Sequence, residues 1–227
     1  MSKGTEDRPC GLRALGNAYL SRRYTILFYS LLMTIVAGPV LSAFELSGIL
    51  MELLLAANLL AAVMPVNAGR SRRFIFVVMF IVWLARPVTA WLDLPVLSVT
   101  TLGIWTVIGL LAAAAALRFA MRATKVDLEH LYAALSAYLL AGIFFALFYW
   151  VLEQIGPGAF AAAGNFSRVS AIYFSFVTLA TLGYGDIIPR SDVARGLAIV
   201  EGVGGQLFLA VLVARLVSLY GRGKDAG

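Results

Sequence analysis

The stretch TLATLGYGDIIP, residues 178–189, carries the most distinctive chemistry of this sequence. Gly183 and Gly185 flank Tyr184 within an otherwise apolar region, and glycine adopts left-handed backbone dihedrals that other residues avoid. When such residues alternate with ordinary ones, successive backbone carbonyls can point to the same side of the chain. Four strands of this kind around an axis would form rings of oxygen atoms that replace the water around a bare cation. The Thr181 hydroxyl could add one more ring at the inner end.

Other reactive side chains are scarce. The chain has one cysteine, Cys10, and one histidine, His130, so we expect neither an intrachain disulfide nor a cysteine metal cluster. A lone helical histidine favours a structural role over a ligand, although His130 could also sense cytoplasmic pH. Because no carboxylates cluster in the apolar segments, no catalytic group is visible. We therefore expect no enzyme activity and no organic cofactor.

The elements that position these residues are apolar helices. Apolar residues make up 61% of the chain and charged residues only 13%, against roughly 45–50% and about 25% in soluble domains. A helix of about 20 apolar residues crosses a hydrocarbon core of roughly 30 Å, and an open strand would leave backbone groups unpaired in lipid. Six such segments cover residues 24–43, 46–66, 74–92, 96–117, 131–152 and 193–214. We predict an all-α membrane protein with six transmembrane helices, the first of them a retained helix rather than a signal peptide.

The basic residues predict the orientation in the membrane. If the spans alternate, most of them fall on one side, and the positive-inside rule makes that side the cytoplasm. Both termini are then cytoplasmic, in a multi-pass protein of the cell (plasma or inner) membrane. The basic residues are scattered among apolar spans, so we expect lipid rather than nucleic acid as a partner. The cytoplasmic set is Lys3, Arg8, Arg13, Arg22, Arg23, Arg70, Arg72, Arg73, Arg118, Arg122, Lys125, Arg215, Arg222 and Lys224, and the outer set is Arg86, Arg168, Arg190 and Arg195.

A shorter apolar run lies between the last two spans. Residues 153–168 are rich in Gly, Ala and Pro and predict an outer loop, whereas residues 169–181 are apolar but too short to cross a membrane. A helix entering from outside would end near mid-membrane, just before residues 181–185. Irregular backbone is tolerated there only when it is buried in protein or lines a watery cavity. The pattern therefore predicts a re-entrant helix over residues 169–181.

The motif TLGYGD resembles the selectivity-filter signature of potassium channels, and AIYFSFVTLATLGYGDIIP resembles their whole pore loop. The similarity extends from about Leu131 to Tyr220, with EGVGGQLFLAVLVARLV in the place of the inner helix. One pore loop per chain cannot enclose an ion, so the resemblance implies a homotetramer whose monomer is inactive. It also implies a pore domain over residues 131–220, with a pore helix at 169–181, a filter at 181–185 and an inner helix at 193–220.

The resemblance implies roles for individual residues around permeant K⁺ ions. Dehydrated K⁺ would bind to the backbone carbonyls of four residues, and Gly185 would complete the filter. The four are Thr181, Leu182, Gly183 and Tyr184.

Other residues would support this filter. Tyr184 would point away from the axis and pack against Tyr173 and Phe174, while Asp186 would lie behind the outer mouth. Many relatives place a glutamate opposite this aspartate, where the present chain has Val177. That departure leaves open any slow inactivation that depends on such a pair. Thr178 also belongs to the supporting set, and Leu182 in place of valine and Ala180 in place of threonine are milder changes.

Glycines in the last span suggest a gate. Gly202, Gly204 and Gly205 lower helix propensity by roughly 1 kcal/mol each, and helices kink at such places. Gly205 matches the hinge position of the family's inner helix, and close packing against the pore helix is an equally open explanation. The residues that share its face and would line the pore are Leu209, Val213 and Val217.

Glu201 is an ionisable residue inside a span and hence a functional candidate. It could accept hydrogen bonds from the pore helix behind the filter. A structural pair is the favoured alternative.

The front half, residues 24–117, resembles a voltage-sensor domain without its charges. A sensor needs about 3–4 gating charges per subunit, but residues 96–117 contain no arginine, so we expect weak voltage dependence. Glu52 and Arg86 fall at similar depth and could form a structural ion pair. The remaining predicted parts are a cytoplasmic segment at 1–23, an interfacial linker helix at 118–130 and a short cytoplasmic tail at 221–227.

Several functions compete. The sequence favours a channel that conducts K⁺ passively, regulated by lipid, tension, pH, ions or an unknown partner. A K⁺ uptake transporter would carry four pore segments with degenerate filters, and a non-selective cation channel would usually lack the tyrosine or a glycine of the filter. A membrane enzyme or an assembly factor is the remaining class.

Overall fold

The structure is a computed structural model that describes residues 22–42, 54, 57–58, 77, 95–122 and 128–224. Apart from single positions, the predicted second and third spans lie outside the described residues. So do Cys10, the predicted Glu52–Arg86 pair, most of the N-terminal segment and the last three residues.

The described chain consists of five helices and two very short strands. The helices are α1 (Arg23–Ser42), α2 (Pro95–Met121), α3 (Leu128–Ile155), α4 (Arg168–Leu179) and α5 (Asp192–Lys224). The strands, β1 (Phe160–Ala161) and β2 (Ile188–Pro189), form one antiparallel pair.

Long apolar helices confirm the all-α membrane class. Within the described residues, three helical stretches are long and apolar enough to cross a membrane: Arg23–Val40, Leu128–Ile155 and Asp192–Ser218. Helix α2 has 27 residues and is therefore about 40 Å long. Helix α4, with 12 residues, is too short to cross. The number of spans in the whole chain stays a prediction.

Two predicted boundaries differ from the observed ones. Residues 118–121 form the last turn of α2 and residues 128–130 the first turn of α3, so these parts of the predicted linker helix belong to the long helices. Residues 221–224 continue α5 rather than forming a separate tail. Both differences arise because a helix that has already formed gains one backbone hydrogen bond for each residue added.

Small residues let α2 lie close against α3. Ala112 and Ala116 of α2 and Ala133 and Ala137 of α3 are buried in one cluster, and small side chains allow helix backbones in membranes to approach closely. Gly109 illustrates the fit, because a Cβ there would lie 1.5 Å from the ring of Phe144. Helix α1 packs on the same helix α3 and adds Leu27 and Leu31 to the cluster.

Glu129, at the start of α3, caps the start of α1. Its two carboxylate oxygens accept hydrogen bonds from Tyr24 N (2.7 Å) and Thr25 Oγ1 (2.9 Å). His130, the next residue, stacks its ring on Phe119 of α2 with a centroid distance of 4.4 Å. The beginning of α3 is therefore held against both α1 and α2.

A second cluster fixes the outer loop beside α4. The rings of Tyr149, Phe160 and Phe174 meet edge to face with centroid distances of 4.9–5.4 Å. Phe160 pairs with Pro189 in the β1–β2 pair, and Glu153 accepts hydrogen bonds from Gly158 N and Phe160 N. The loop after α3 is thus bound to the chain that follows residues 181–186.

Candidate functional site

Helix α4 leads directly into residues 181–186, which form the candidate site. Its N-cap Ser167 accepts a hydrogen bond from Ser170 N at 3.1 Å, which satisfies one of the free N–H groups of the first turn. At its other end, Thr181 N donates to Thr178 O at 3.0 Å and Leu182 N to Val177 O at 2.9 Å. The backbone therefore leaves the helix in a tight turn, two residues earlier than the predicted end at residue 181.

Residues 181–186, the Gly-Tyr-Gly segment, have an alternating backbone. Thr181, Gly183 and Gly185 have φ of 56°, 58° and 81°, whereas Leu182 and Tyr184 between them do not have positive φ. Glycine adopts these angles without steric penalty. Thr181 does not, and a β-branched residue at positive φ is a rare strained conformation that costs about 1–3 kcal/mol. Strain of this kind clusters at functional sites.

The oxygen atoms of this segment are available to a ligand. Among the described residues, no carbonyl of residues 181–185 accepts a hydrogen bond from the chain. Two residues of the segment are also exposed, Leu182 by 58% and Tyr184 by 67%. Unpaired carbonyls at membrane depth are costly unless something polar meets them. This arrangement suits a cation that has lost its water.

Two of the predicted supporting residues, Tyr173 and Asp186, lie together beside the filter residue Tyr184. The rings of Tyr173 and Tyr184 stack with a centroid distance of 6.3 Å and an interplanar angle of 8°. A hydrogen bond with Asp186, followed by partial burial, raises the pKa of Tyr173. Asp186 Oδ1 also accepts a hydrogen bond from Ile187 N at 3.1 Å. Phe174, by contrast, lies in the interior against Tyr149 rather than against Tyr184.

A cavity of about 270 Å³ lies behind the Gly-Tyr-Gly segment. Val177 and Asp186 both line it, so an apolar side chain stands near the aspartate. The other lining residues are Tyr173, Phe174, Thr178, Gly183, Gly185, Ile187, Ile188, Pro189 and Ala198.

Glu201 is the centre of a buried polar cluster. It is 1% exposed, and Tyr149 Oη donates to its Oε2 at 2.6 Å. Its Oε1 forms a hydrogen bond with Ser175 Oγ, which in turn lies 2.6 Å from Gly142 O. Ser175 belongs to α4, so Glu201 does contact that helix, whereas Tyr149 and Gly142 belong to α3. Nothing in the sequence singled out Ser175, Tyr149 or Gly142, because their pairing depends on how the three helices meet.

Two glycines of α5, Gly202 and Gly205, face α4. A Cβ on Gly205 would lie 2.7 Å from Leu179 Cδ1 and 2.9 Å from the Leu179 carbonyl oxygen, while Gly204 has open space. Gly205 therefore contacts α4 at Leu179, two residues before the Gly-Tyr-Gly segment begins. Further along α5, Leu209 is half-buried, and Val213 and Val217 are exposed.

Comparisons with known proteins identified a matching family and several relatives. A family model described as ion channel matches residues 133–222. Protein LctB of Bacillus caldotenax is 33% identical over 100 residues, covering 41% of this chain and 74% of LctB. Two-pore potassium channel 4 of Arabidopsis thaliana is 48% identical over 50 residues, 22% of this chain and 18% of that protein. Inward rectifier potassium channel Kirbac3.1 of Paramagnetospirillum magnetotacticum is 35% identical over 89 residues, covering 37% of this chain and 28% of that protein.

The chain belongs to the ion channel family, and potassium channels are among its relatives. The matched region contains α4, the Gly-Tyr-Gly segment, most of α3 and nearly all of α5. The chain spans only a minor part of the two potassium channels named above. No solved structure gave a significant match.

Proposed function

We propose that this protein is a K⁺-selective channel whose ion path is lined by the backbone carbonyls of its Gly-Tyr-Gly segment. The observation that carries the proposal is the alternation of positive φ at Thr181, Gly183 and Gly185 together with carbonyls that accept no hydrogen bond within the described chain. Such a backbone offers oxygen atoms in place of the water around an ion. K⁺ would bind at Thr181, Leu182, Gly183 and Tyr184.

A complete ring requires several copies. One segment supplies one side of an ion site, so we propose a homotetramer around a four-fold axis. In the window of α5 that is apolar enough to span a membrane, only 11% of residues are buried. That helix is therefore free to contact neighbouring copies, lipid and the ion path. In this arrangement Val213 and Val217, with Leu209, line the path on the cytoplasmic side of the segment.

The orientation and the voltage response belong to the same proposal. Both termini lie on the cytoplasmic side of a cell membrane, because basic residues favour the cytoplasmic side. Helix α2 carries a basic residue, Arg118, only in its last turn. The conductance should therefore change little with voltage, and a steep conductance–voltage curve would contradict this part.

The test is the reversal potential of the purified full-length protein in liposomes under opposed K⁺ and Na⁺ gradients. Gly183→Ala is the sensitive variant, since its φ of 58° does not suit a residue with a Cβ although there is open space around it. Gly164→Ala is the matched control, with open space and no positive φ. We expect K⁺ flux in the wild type and in Gly164→Ala, and a loss of K⁺ selectivity or flux in Gly183→Ala.

Two results would count against the proposal. A reversal potential near zero in the wild type would indicate a non-selective cation channel. Equal K⁺ selectivity in Gly183→Ala and the wild type would show that the backbone of residues 181–185 does not form the ion site.

A further inference from the structure

The contacts around Glu201 form a chain of four oxygen-bearing groups. In order, these are the Tyr149 hydroxyl, the Glu201 carboxyl group, the Ser175 hydroxyl and the Gly142 carbonyl. Two of the three links have O···O distances of 2.6 Å, Tyr149–Glu201 and Ser175–Gly142. The middle link joins Glu201 Oε1 to Ser175 Oγ. Oxygen atoms approach this closely only when a hydrogen atom lies between them.

Counting hydrogen atoms decides the protonation of this chain. A hydroxyl group donates one hydrogen, and a carboxylate or a carbonyl donates none. With Glu201 ionised, Tyr149 and Ser175 supply two hydrogens for three links. The Ser175 hydrogen would then have to serve both Gly142 O and Glu201 Oε1. With Glu201 protonated, its own O–H bonds Ser175 Oγ, Ser175 bonds Gly142 O, and Tyr149 bonds Oε2, so every link has its hydrogen.

The surroundings favour the neutral form as well. Glu201 is 1% exposed, and none of the described residues forms a salt bridge with it. The titratable groups that face it are Tyr149 and Tyr138 of α3, while α4 presents only the Ser175 hydroxyl. On α5 itself, the nearest described ion pair joins Arg195 to Asp192 at the exposed end of the helix. A carboxylate buried without a cation is costly and tends to take up a proton.

We propose that Glu201 is held as a neutral carboxylic acid whose proton bonds Ser175 Oγ and thereby fastens α3, α4 and α5 together. The bond reaches α4 at Ser175, one turn before Leu179, where the chain turns toward the Gly-Tyr-Gly segment. Glu201 is therefore a positioning residue, which acts on the ion site through α4. Its effect on conduction depends on the proposed channel function, but its protonation does not.

Infrared spectroscopy of the purified full-length protein, labelled with ¹³C-glutamate, tests the proton directly. The carbonyl stretch of a protonated carboxyl group is separate from the carboxylate bands. We expect an acid band in the wild type at neutral pH that disappears in Glu201→Gln and moves to higher frequency in Ser175→Ala, because the acid then loses its acceptor. Glu153→Gln, which removes a labelled carboxylate that accepts hydrogen bonds from Gly158 N and Phe160 N, is the control and should leave the acid band unchanged.

K⁺ flux in liposomes tests the positioning role. A glutamine amide keeps both a donor and an acceptor, so Glu201→Gln should keep the wild-type flux. Glu201→Ala leaves buried partners unpaired and should reduce the flux about tenfold.

Each result tests a different part of the proposal. Absence of a Glu201-dependent acid band would overturn the protonation. An acid band together with wild-type flux in Glu201→Ala would overturn the positioning role. A wild type that shows the band and conducts no K⁺ would contradict the proposed function and leave the protonation supported.

Discussion

Thr181 shows how a single residue can depart from its local preferences. The sequence pointed to the glycines as the special backbone positions, and Gly183 and Gly185 do have positive φ. Thr181 shares this conformation although its branched side chain disfavours it. Hydrogen bonds from Thr181 N and Leu182 N back to α4 hold the turn. The strain is therefore offset by the way the helix ends.

Tyr173 provides a prediction at the scale of one side chain. Its pKa is raised above the ordinary value of 10.0, first by the hydrogen bond with Asp186. The hydroxyl therefore stays protonated and donates to Asp186 at neutral pH. The stabilisation from this bond is complete below pH 10 and is lost as pH rises through the raised pKa.

The tyrosinate absorbance of wild type minus Tyr173→Phe would isolate this titration. We expect a midpoint above pH 10 that moves down when Asp186 is replaced by asparagine. An unchanged midpoint in Asp186→Asn would show that Asp186 does not cause the shift.

At the scale of the elements, the contact between α5 and α4 distinguishes two interpretations of Gly205. Hinge and close packing were equally open from the sequence. Leu179 leaves no room for a Cβ at Gly205, which favours packing, whereas a hinge would need only helix flexibility. The two interpretations predict different effects of a methyl group added at Gly205.

Gly205→Ala should alter the ion site through α4. The added methyl group must displace Leu179, including its backbone oxygen, and overpacking of this kind costs about 1–3 kcal/mol. We expect reduced K⁺ selectivity or flux in liposomes and lower thermal stability. Gly204→Ala, next to it on the same helix but in open space, is the matched control. Altered open probability with unchanged selectivity and stability in Gly205→Ala would favour the hinge instead.

The elements themselves were largely predictable, and their ends less so. Helix α4 was expected over residues 169–181 and is found at Arg168–Leu179, because the left-handed Thr181 cannot continue a right-handed helix. Helix α5 was expected over 193–220 and extends over Asp192–Lys224. The length of an apolar segment predicts that a helix forms. Where the helix ends depends on local hydrogen bonds, which cannot be inferred from composition.

At the scale of the whole molecule, the number of copies that share one ion path can be measured. If four copies form the path, one Gly183→Ala copy should impair the whole assembly. In tetramers formed by co-expressing equal amounts of wild type and variant, roughly one in sixteen contains only wild-type copies. We expect K⁺ flux far below half of the wild-type value, together with a four-chain mass in native mass spectrometry. Flux that falls in proportion to the variant fraction would mean that each chain conducts on its own.

The sequence by itself determined the membrane class, the apolar helices and the Gly-Tyr-Gly segment with its ion-channel resemblance. These depend on length, hydropathy and glycine placement, which are local properties. The tertiary structure decided that Tyr173 and not Phe174 meets Tyr184, that Gly205 touches Leu179, and that Glu201 joins Tyr149 and Ser175. These pairings join residues far apart in the chain, and only the packing of α3, α4 and α5 brings their atoms within bonding distance.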